Sequence, residues 1–140
     1  MAETTLILLK PDCVAAGKCG DVIKRFETEG FKIRGAKMQF LSDEKLAEHY
    51  SHLTDKPFFP SIVEFMQQSP VIAMALEGDN AIQRVRDLLG PTDSTAAEPG
   101  TIRGDFGVDV QQNVCHASDS PEAAEAELKR FFDEGDLFSY

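Results

Sequence analysis

The sequence lacks any long hydrophobic run. Its longest clean apolar stretches are LILL and VIAMAL, at residues 6–9 and 71–76, whereas a membrane-spanning helix needs about 20 consecutive apolar residues. The first residues, MAETTLILLKPD, also lack the basic segment and the cleavage site of a secretory signal peptide. We therefore expect a cytoplasmic protein that has no membrane partner.

Cysteine is scarce. The three cysteines, Cys13, Cys19 and Cys115, form no CxxC motif, which is typical of reduced thiols in a cytosolic protein. Cys115 adjoins His116. Its expected role is nevertheless that of a small buried hydrophobic residue.

Positive charge is also in short supply. The chain has 14 Lys and Arg residues against 24 Asp and Glu residues, a formal net charge of −10. Sequence-independent nucleic-acid binding needs a basic surface that contacts phosphates, so we expect no specific nucleic-acid partner. Any anionic ligand must be bound by a local basic cluster that acts against the overall negative field.

Apolar residues, by contrast, are plentiful. The chain has 140 residues, of which 42% are hydrophobic, and this is enough for the core of one domain. We find no internal repeat, linker or low-complexity segment in the sequence. A single domain over residues 1–140 is therefore expected.

The hydrophobic periodicity predicts the order β-α-β-α-(α)-β-α-loop-β-α. Asp12, Ser42 and Ser120 are expected helix N-caps, and Gly30 and Gly90 are expected to end helices. This order fits an α+β, ferredoxin-like split β-α-β plan in which helices cover a four-stranded antiparallel sheet. The strands are expected at residues 4–10, 31–40 and 70–78 and just before His116, the helices within 12–29, 42–50, 56–68, 79–89 and after Ser120, and a loop at 91–112.

The stretch NVCHASDSPEAAEAE, residues 113–127, places a histidine one short turn before a helix. Ser120 is the expected N-cap and Pro121 the first helical residue. A helix N-terminus attracts anions, and a neutral imidazole is a nucleophile near physiological pH. This pattern suggests phosphate chemistry on His116, although a capped turn with an ordinary surface histidine has the same local sequence.

Two charged residues fall beside apolar helix faces. At ~100° per residue, Arg86 and Glu127 each lie about 60° from the centre of the stripe of their helix. A charge beside the core is costly without a partner, so the pair together with His116 indicates a site. The alternative for each is a side chain that snorkels at the edge of the stripe.

Other candidates carry weaker signals. Arg103 lies between Gly100 and Gly104, where the backbone can approach a ligand, but a surface arginine in a turn is equally compatible. Lys10 ends a buried strand, a common position for ligand binding. Phe58, in an exposed-looking turn, either stacks on a base or packs under the loop. The remaining histidines, His49 and His52, lack metal-ligand spacing and are expected at the surface.

Four segments together resemble the nucleoside diphosphate kinase family over nearly the whole chain. They are LLKPD, FFPSIVEFM, PGTIRGDF and NVCHASDS, and the last two at this spacing are very specific. The resemblance implies an enzyme in which His116 is phosphorylated by a nucleoside triphosphate and then discharged onto a nucleoside diphosphate in a ping-pong reaction. It also implies Mg²⁺ as the cofactor, bridging the phosphates of the nucleotide rather than held in a protein cage.

The resemblance also implies roles for individual residues. Glu127 would orient the imidazole of His116, and Ser118 would bond to that glutamate. Phe58 and Val110 would sandwich the base with Ile62 nearby, with little base specificity because stacking does not read base edges. The phosphates and sugar would be surrounded by Lys10, Tyr50, Arg86, Thr92, Arg103 and Asn113, of which the three cations would neutralise the transferring phosphoryl group.

Two positions depart from the family pattern. Ala117 follows the histidine where the family usually has Gly, and a positive φ there would cost alanine ~1 kcal/mol and tilt His116. We expect activity to survive. After Thr92 the family usually has Asn-Pro, and this chain has Asp93-Ser94, which bears on the rigidity of the loop and on subunit contacts rather than on the chemistry.

The resemblance implies a homo-oligomer. The final segment, RFFDEGDLFSY, is acidic, and like charges across a second two-fold interface repel, so we expect a dimer first, then a tetramer, rather than a hexamer. Two other functions stay open from the sequence: a phosphohistidine relay to a protein, which needs His116 but no stacking by Phe58, and a non-catalytic ferredoxin-like binding module.

Overall fold

A computed structural model describes residues 2–140. Its four strands form one antiparallel sheet in the order β2-β3-β1-β4, which confirms the predicted fold class. The central strand β1 pairs with β3 over eight residues and with the short β4 through the partners Leu8 and His116. The strand bounds are Ala2–Leu9 for β1, Lys32–Gln39 for β2, Val71–Asp79 for β3 and Cys115–Ala117 for β4.

Seven helices accompany the sheet in the described part of the chain. None of those within residues 2–140 is long and apolar enough to cross a membrane. Two single turns of 3-10 helix lie at Ser51–Leu53 and Ser94–Ala96. The helices are α1 Pro11–Ala15, α2 Cys19–Thr28, α3 Asp43–His49, α4 Phe59–Met66, α5 Ala81–Leu89, α6 Ile102–Phe106 and α7 Pro121–Phe131.

Alternation along β1 divides the core into two clusters, one on each face of the sheet. Ile7 and Leu9 face α2 and α5, whereas Leu6 and Leu8 face α3, α4 and α7. All four of these β1 side chains are fully buried. A central strand covered on both faces explains why its sequence is a continuous apolar run rather than an alternating one.

Most of the predicted helix ends are confirmed. The hydroxyl of Ser42 accepts a hydrogen bond from the N–H of Lys45, and that of Ser120 accepts one from the N–H of Ala123. These side chains satisfy backbone donors that have no partner in the first turn. At the C-terminal end of α5, the expected stop at Gly90 is present, with a φ of +85°, where a Cβ is disfavoured.

The prediction that Asp12 caps a single helix is wrong. The segment forms two helices, α1 and α2, and Asp12 lies within the first. Its Oδ2 accepts a hydrogen bond from the backbone N–H of Val114, 3.0 Å away. Asp12 therefore connects α1 to the segment before His116 instead of capping the helix that follows it.

The prediction of a loop over residues 91–112 is also wrong in part, because α6 lies inside it. Thr101 caps this helix by accepting a hydrogen bond from the N–H of Gly104. A Cβ at Gly104 would lie 2.0 Å from the carbonyl oxygen of Glu98. The loop prediction rests on the Pro, Gly, Thr and Asp content of this segment. Gly104, one of these residues, is required because the chain passes close to it just before the helix.

The sheet ends at β2, an edge strand that is only partly covered. The segment before the last residue follows its first half, where Phe138 and Arg34 exchange two hydrogen bonds of 2.9 Å. Farther along, Met38 and Phe40 are 58% and 61% exposed. An open edge with exposed apolar side chains is a place where another strand can pair.

Candidate active site

His116 lies in the middle of β4, between two buried residues. Cys115 and Ala117 point into the core on one face of the strand, so His116 projects from the opposite face and is half-buried. The predicted burial of Cys115 is confirmed. Just before the strand, Val114 has a φ of +76°, a conformation that costs a β-branched residue about 1–3 kcal/mol. Hydrogen bonds from Val114 to Asp12 and from Lys10 to Val114 hold this bend.

Glu127 on α7 fixes the orientation of the His116 ring. Its Oε1 lies 2.9 Å from Nε2 of His116 and accepts a hydrogen bond of 2.7 Å from the hydroxyl of Ser118. Burial disfavours ionisation of Glu127, but its hydrogen bonds with His116 and Ser118, together with its interactions with the neighbouring His116 and His49, outweigh burial and lower its pKa. An ionised carboxylate can only accept. The proton of a neutral His116 is therefore on Nε2, and the lone pair is on Nδ1.

The prediction that His49 is a surface residue is wrong. It is 7% exposed, and its ring centroid lies 4.7 Å from that of His116 in an edge-to-face arrangement. The guanidinium of Arg130 lies 2.9 Å from Nδ1 of His49, and since arginine only donates, Nδ1 is the acceptor. Burial, then the nearby His116, lower the pKa of His49 to about 3. His49 is therefore a neutral ring against the back of His116, whereas His52 is exposed as predicted.

Lys10 is a buried cation at the end of β1. Its ammonium group donates hydrogen bonds of 2.7 Å to the carbonyl oxygen of Gln111 and to Oδ1 of Asn113. Burial lowers its pKa to about 8, although the carboxylate of Asp12 opposes that shift. Since neither hydrogen-bond acceptor is charged, the positive charge of Lys10 remains available to an anion.

Arg103 is a buried residue of α6 rather than a surface arginine in a turn, the alternative that the sequence left open. It donates to three carbonyl oxygens, those of Asn113, Gly90 and Cys115, at 3.2, 3.0 and 2.7 Å. These bonds connect α6 to the C-terminal end of α5 and to β4 and the residue before it. Arg86 on α5 is half-buried and donates to the carbonyl oxygen of Ala117 at 3.4 Å.

These side chains meet in one cleft with a volume of about 610 Å³. Its mouth carries Phe58 and Val110, which are 50% and 59% exposed. Glu127 and Ser118 lie behind His116 rather than in the lining. Of the residues proposed from the sequence, the cleft is lined by Lys10, Tyr50, Phe58, Ile62, Arg86, Thr92, Arg103, Val110, Asn113 and His116.

Two residues near His116 escaped the sequence reasoning, His49 and Arg130. A signal for His49 was present, because Leu46 and His49 are three residues apart on α3 and so share its buried face. Arg130 had no such signal. Its partner His49 lies 81 residues away in the sequence, and only the fold brings α3 and α7 together.

His49, His116 and Glu127 are also the one group of potential metal ligands among residues 2–140, with ligand atoms within 4.8 Å of one another. The donor set does not fit a metal. Because Nδ1 of His49 accepts from Arg130, its Nε2 carries the proton and has no lone pair to offer. Mg²⁺, which prefers oxygen ligands, is less suited still.

The cleft therefore combines a histidine with a free Nδ1, a carboxylate behind it and three cations beside it. The sequence profile of the family described as "Nucleoside diphosphate kinase" matches residues 3–137. The chain belongs to the nucleoside diphosphate kinase family. It is a phosphotransferase, and its activity is nucleoside diphosphate kinase activity.

Relatives in the family match over almost the full chain. Nucleoside diphosphate kinases of Parabacteroides distasonis and Staphylothermus marinus are each 51% identical over 138 residues, which is 99% of this chain and 90% and 98% of theirs. The structure of a halophilic nucleoside diphosphate kinase from Halobacterium salinarum in complex with CDP superposes with a TM-score of 0.96 at 43% identity, covering 100% of this chain and 93% of that one. An Aquifex aeolicus nucleoside diphosphate kinase gives 0.94 at 44% identity, covering 99% of this chain and 100% of that one.

The two departures from the usual nucleoside diphosphate kinase sequence are accommodated. Ala117 is a strand residue, and the positive φ values of non-glycine residues among 2–140 are at Asn80 and Val114. An alanine after the histidine is therefore free of the backbone strain considered above. In the loop, Oδ1 of Asp93 accepts from the N–H and the hydroxyl of Thr95, which orders the turn that begins at Ser94.

Proposed function

We propose that this nucleoside diphosphate kinase works by a ping-pong mechanism in which Nδ1 of His116 carries the phosphoryl group. In the first half-reaction, the Nδ1 lone pair attacks the γ-phosphorus, and the bond to the bridging oxygen breaks to release the nucleoside diphosphate. In the second, a terminal oxygen of another diphosphate takes the phosphoryl group from Nδ1. The observation that carries this proposal is the 2.9 Å contact between Nε2 and Glu127, which leaves Nδ1 as the nucleophile.

Lys10, Arg86 and Arg103 are proposed to stabilise the phosphoryl group in transit. Charge spreads over the equatorial oxygens in the transition state, and fixed cations stabilise it without reorganisation. The hydrogen bonds of Lys10 and Arg103 to neutral oxygens support this role, because they orient each cation through acceptors that carry no charge. Tyr50, Thr92 and Asn113 are proposed to bind the remaining phosphate and sugar oxygens.

The base is proposed to lie at the mouth of the cleft between Phe58 and Val110, with Ile62 nearby. Both flanking side chains are half-exposed or more, as a stacking platform requires. Such a platform contacts the face of a base and not its edges, so it accepts any common base. The relative from Halobacterium salinarum, whose structure is in complex with CDP, supports a nucleotide in this cleft.

Mg²⁺ is proposed to arrive as part of the nucleotide substrate. The lining offers one carboxylate, Asp119, beside three cations, which is a poor set of ligands for a resident Mg²⁺. The protein groups proposed to take part in phosphoryl transfer are therefore the three cations and His116.

The mechanism is tested by the intact mass of the protein after brief incubation with ATP and magnesium. We expect a gain of one phosphoryl group, about 80 Da, that is lost when GDP is added. His116→Ala should show no gain. A phosphorylated wild type that GDP cannot discharge, but that a protein acceptor can, would instead favour a phosphohistidine relay, for which Phe58→Ala would be neutral.

We also infer that one catalytic domain spans residues 1–140 and that the enzyme acts in the cytoplasm as a homodimer, with a tetramer as the next choice. The three free thiols of the described structure support a reducing compartment. Fractionation of cells with an antibody against the chain tests the location, and the oligomeric state is taken up in the Discussion.

A further inference from the structure

Cys13 and Cys19, neither of which lines the cleft, form a close pair. The sulfur atoms of Cys13 on α1 and Cys19 at the start of α2 are 3.8 Å apart, and both thiols are free. Cys13 is buried in the core, whereas Cys19 is partly exposed. One member of the pair is therefore in contact with solvent and the other is held behind it.

The backbone between the two cysteines holds them in this relation. The N–H of Lys18 donates to the carbonyl oxygen of Cys13 at 3.1 Å, which closes the turn between α1 and α2. A disulfide needs the sulfur atoms at about 2.05 Å, so the two sulfur atoms, now 3.8 Å apart, must approach each other by about 1.8 Å. The turn holds the two thiols next to each other.

We propose that Cys13 and Cys19 are an oxidative modification site, a dithiol that peroxides convert into an intramolecular disulfide. The thiolate of Cys19 attacks one oxygen of hydrogen peroxide, the O–O bond breaks, and hydroxide leaves, which produces a sulfenic acid. The sulfur of Cys13 then attacks that of Cys19 and expels the second oxygen as water. In sum, two thiols lose two electrons and two protons, and one peroxide becomes two waters.

The order of the two steps follows from burial. Cys19 is the accessible thiol and reacts first with the oxidant. Burial raises the pKa of Cys13, with Cys19 as a further cause, so Cys13 stays protonated and inert until a sulfenic acid forms beside it. Cys115 is fully buried and its sulfur donates to the carbonyl oxygen of His116, so it is shielded from the same oxidant.

The disulfide goes beyond phosphotransfer and does not rest on it. Neither Cys13 nor Cys19 lines the nucleotide cleft, and the contacts of Lys10 and Asp12 precede Cys13 in the chain. We therefore expect phosphotransfer by the oxidised enzyme to stay within about twofold of that of the reduced enzyme. The function of the site is to convert the partly exposed thiol of Cys19 into a reversible disulfide before it reaches the sulfinic state.

The test treats the folded, full-length protein with stoichiometric hydrogen peroxide, then unfolds it in guanidinium chloride and blocks the remaining thiols, now including the buried Cys115, with N-ethylmaleimide. We expect a loss of about 2 Da before alkylation and a single alkylated cysteine, Cys115. Since Lys18 lies between the two cysteines and Lys10 is followed by proline, non-reducing tryptic digestion should join peptides 1–18 and 19–24. Dithiothreitol should separate them.

Cysteine variants test which thiol reacts first with peroxide and which thiol then forms the disulfide with it. Cys13→Ser should leave a sulfenic acid on Cys19 that reduced glutathione traps as a mixed disulfide, whereas Cys19→Ser should resist the same peroxide. Cys115→Ser should oxidise like the wild type. The proposal is overturned if Cys19 goes directly to sulfinic acid, if the disulfide joins Cys115, or if it links two chains.

Discussion

At the scale of single residues, the charge on Glu127 is the feature that most directly sets the state of His116. Its oxygen accepts from both His116 and Ser118. Glu127→Gln keeps an acceptor but removes the charge, and hydrogen bonds to charged groups exceed neutral ones by about 1–1.5 kcal/mol. We expect phosphorylation of His116 to slow by about 10-fold. Quench-flow with labelled ATP measures it, and Glu125→Gln, which alters an exposed pair with Lys129, serves as the control.

His49 is expected to act as a spacer behind His116 and not as an acid or base. Its pKa of about 3 keeps it neutral throughout the working range. We therefore expect His49→Phe, which keeps a ring in that space, to retain the phosphorylation rate within about threefold and the same pH profile. His49→Ala should slow the reaction by about 10-fold because His116 gains freedom to tilt. The matched control is His52→Ala, at an exposed position. A pH profile shifted by His49→Phe would contradict the spacer role.

Lys10 should give nucleotide binding a dependence on pH just above neutrality. Its pKa in the free enzyme is about 8, below the ordinary 10.5, because burial disfavours the charged form. The cation that attracts phosphate is present below pH 8 and is lost as the pH rises through it. We expect kcat/KM to fall above about pH 8, since this parameter reports the free enzyme. Lys10→Met should be weakly active and flat over the same range, and a steep fall that persisted in that variant would contradict the assignment.

Some residues of the site could be identified from the sequence alone, and others could not. Lys10, Arg86 and His116 were recognisable because each stands out locally, at a strand end, beside an apolar stripe or before a capped helix. His49 was misplaced because its burial depends on α7, which contributes Arg130 and Phe131 from far along the chain. The spacing from Leu46 places His49 on the buried face of α3, but it does not show that these distant residues cover the ring.

At the scale of elements, the strands and the helices of seven or more residues were predictable, whereas the two five-residue helices, α1 and α6, were not. The caps at Ser42 and Ser120 are local hydrogen bonds between residues three apart, so the sequence contains them. The helix α6 spans five residues and includes a glycine. Such a helix has too little periodicity to detect, and it is held instead by the bonds of Arg103 to three distant carbonyl groups.

Because α6 is held by contacts with other parts of the chain, we expect a strong effect of Gly104→Ala. The added Cβ would lie 2.0 Å from the carbonyl oxygen of Glu98, which is backbone and cannot rotate away. We expect a loss of about 1–3 kcal/mol in the free energy of unfolding, together with weaker nucleotide binding because α6 holds Arg103. Gly20→Ala is the matched control, since a Cβ at that helical position has no atom within 4 Å; it should stabilise α2 by up to about 1 kcal/mol. Urea titration of both variants measures the difference.

At the scale of the whole molecule, charge is distributed unevenly. The chain has a net charge of −10, yet Lys10, Arg86 and Arg103 converge on one cleft. These cations are held by α5, α6 and the end of β1, so the local field around the phosphates is set by the fold and not by the composition. A nucleotide is thus expected to be attracted at short range by a protein whose overall charge repels anions.

The uncovered half of β2 is the surface on which we expect a second copy of the chain. Met38 and Phe40 are exposed there beside an open strand edge, and pairing two such edges across a two-fold axis would bury both. Light scattering should give twice the chain mass of 15.4 kDa at low and high salt. Met38→Asp should shift the protein towards the monomer by placing two like charges near the axis, whereas Val108→Asp, at an equally exposed apolar residue elsewhere, should not. A hexamer at both salt concentrations would refute the dimer, and an unchanged mass for Met38→Asp would refute this edge as the interface.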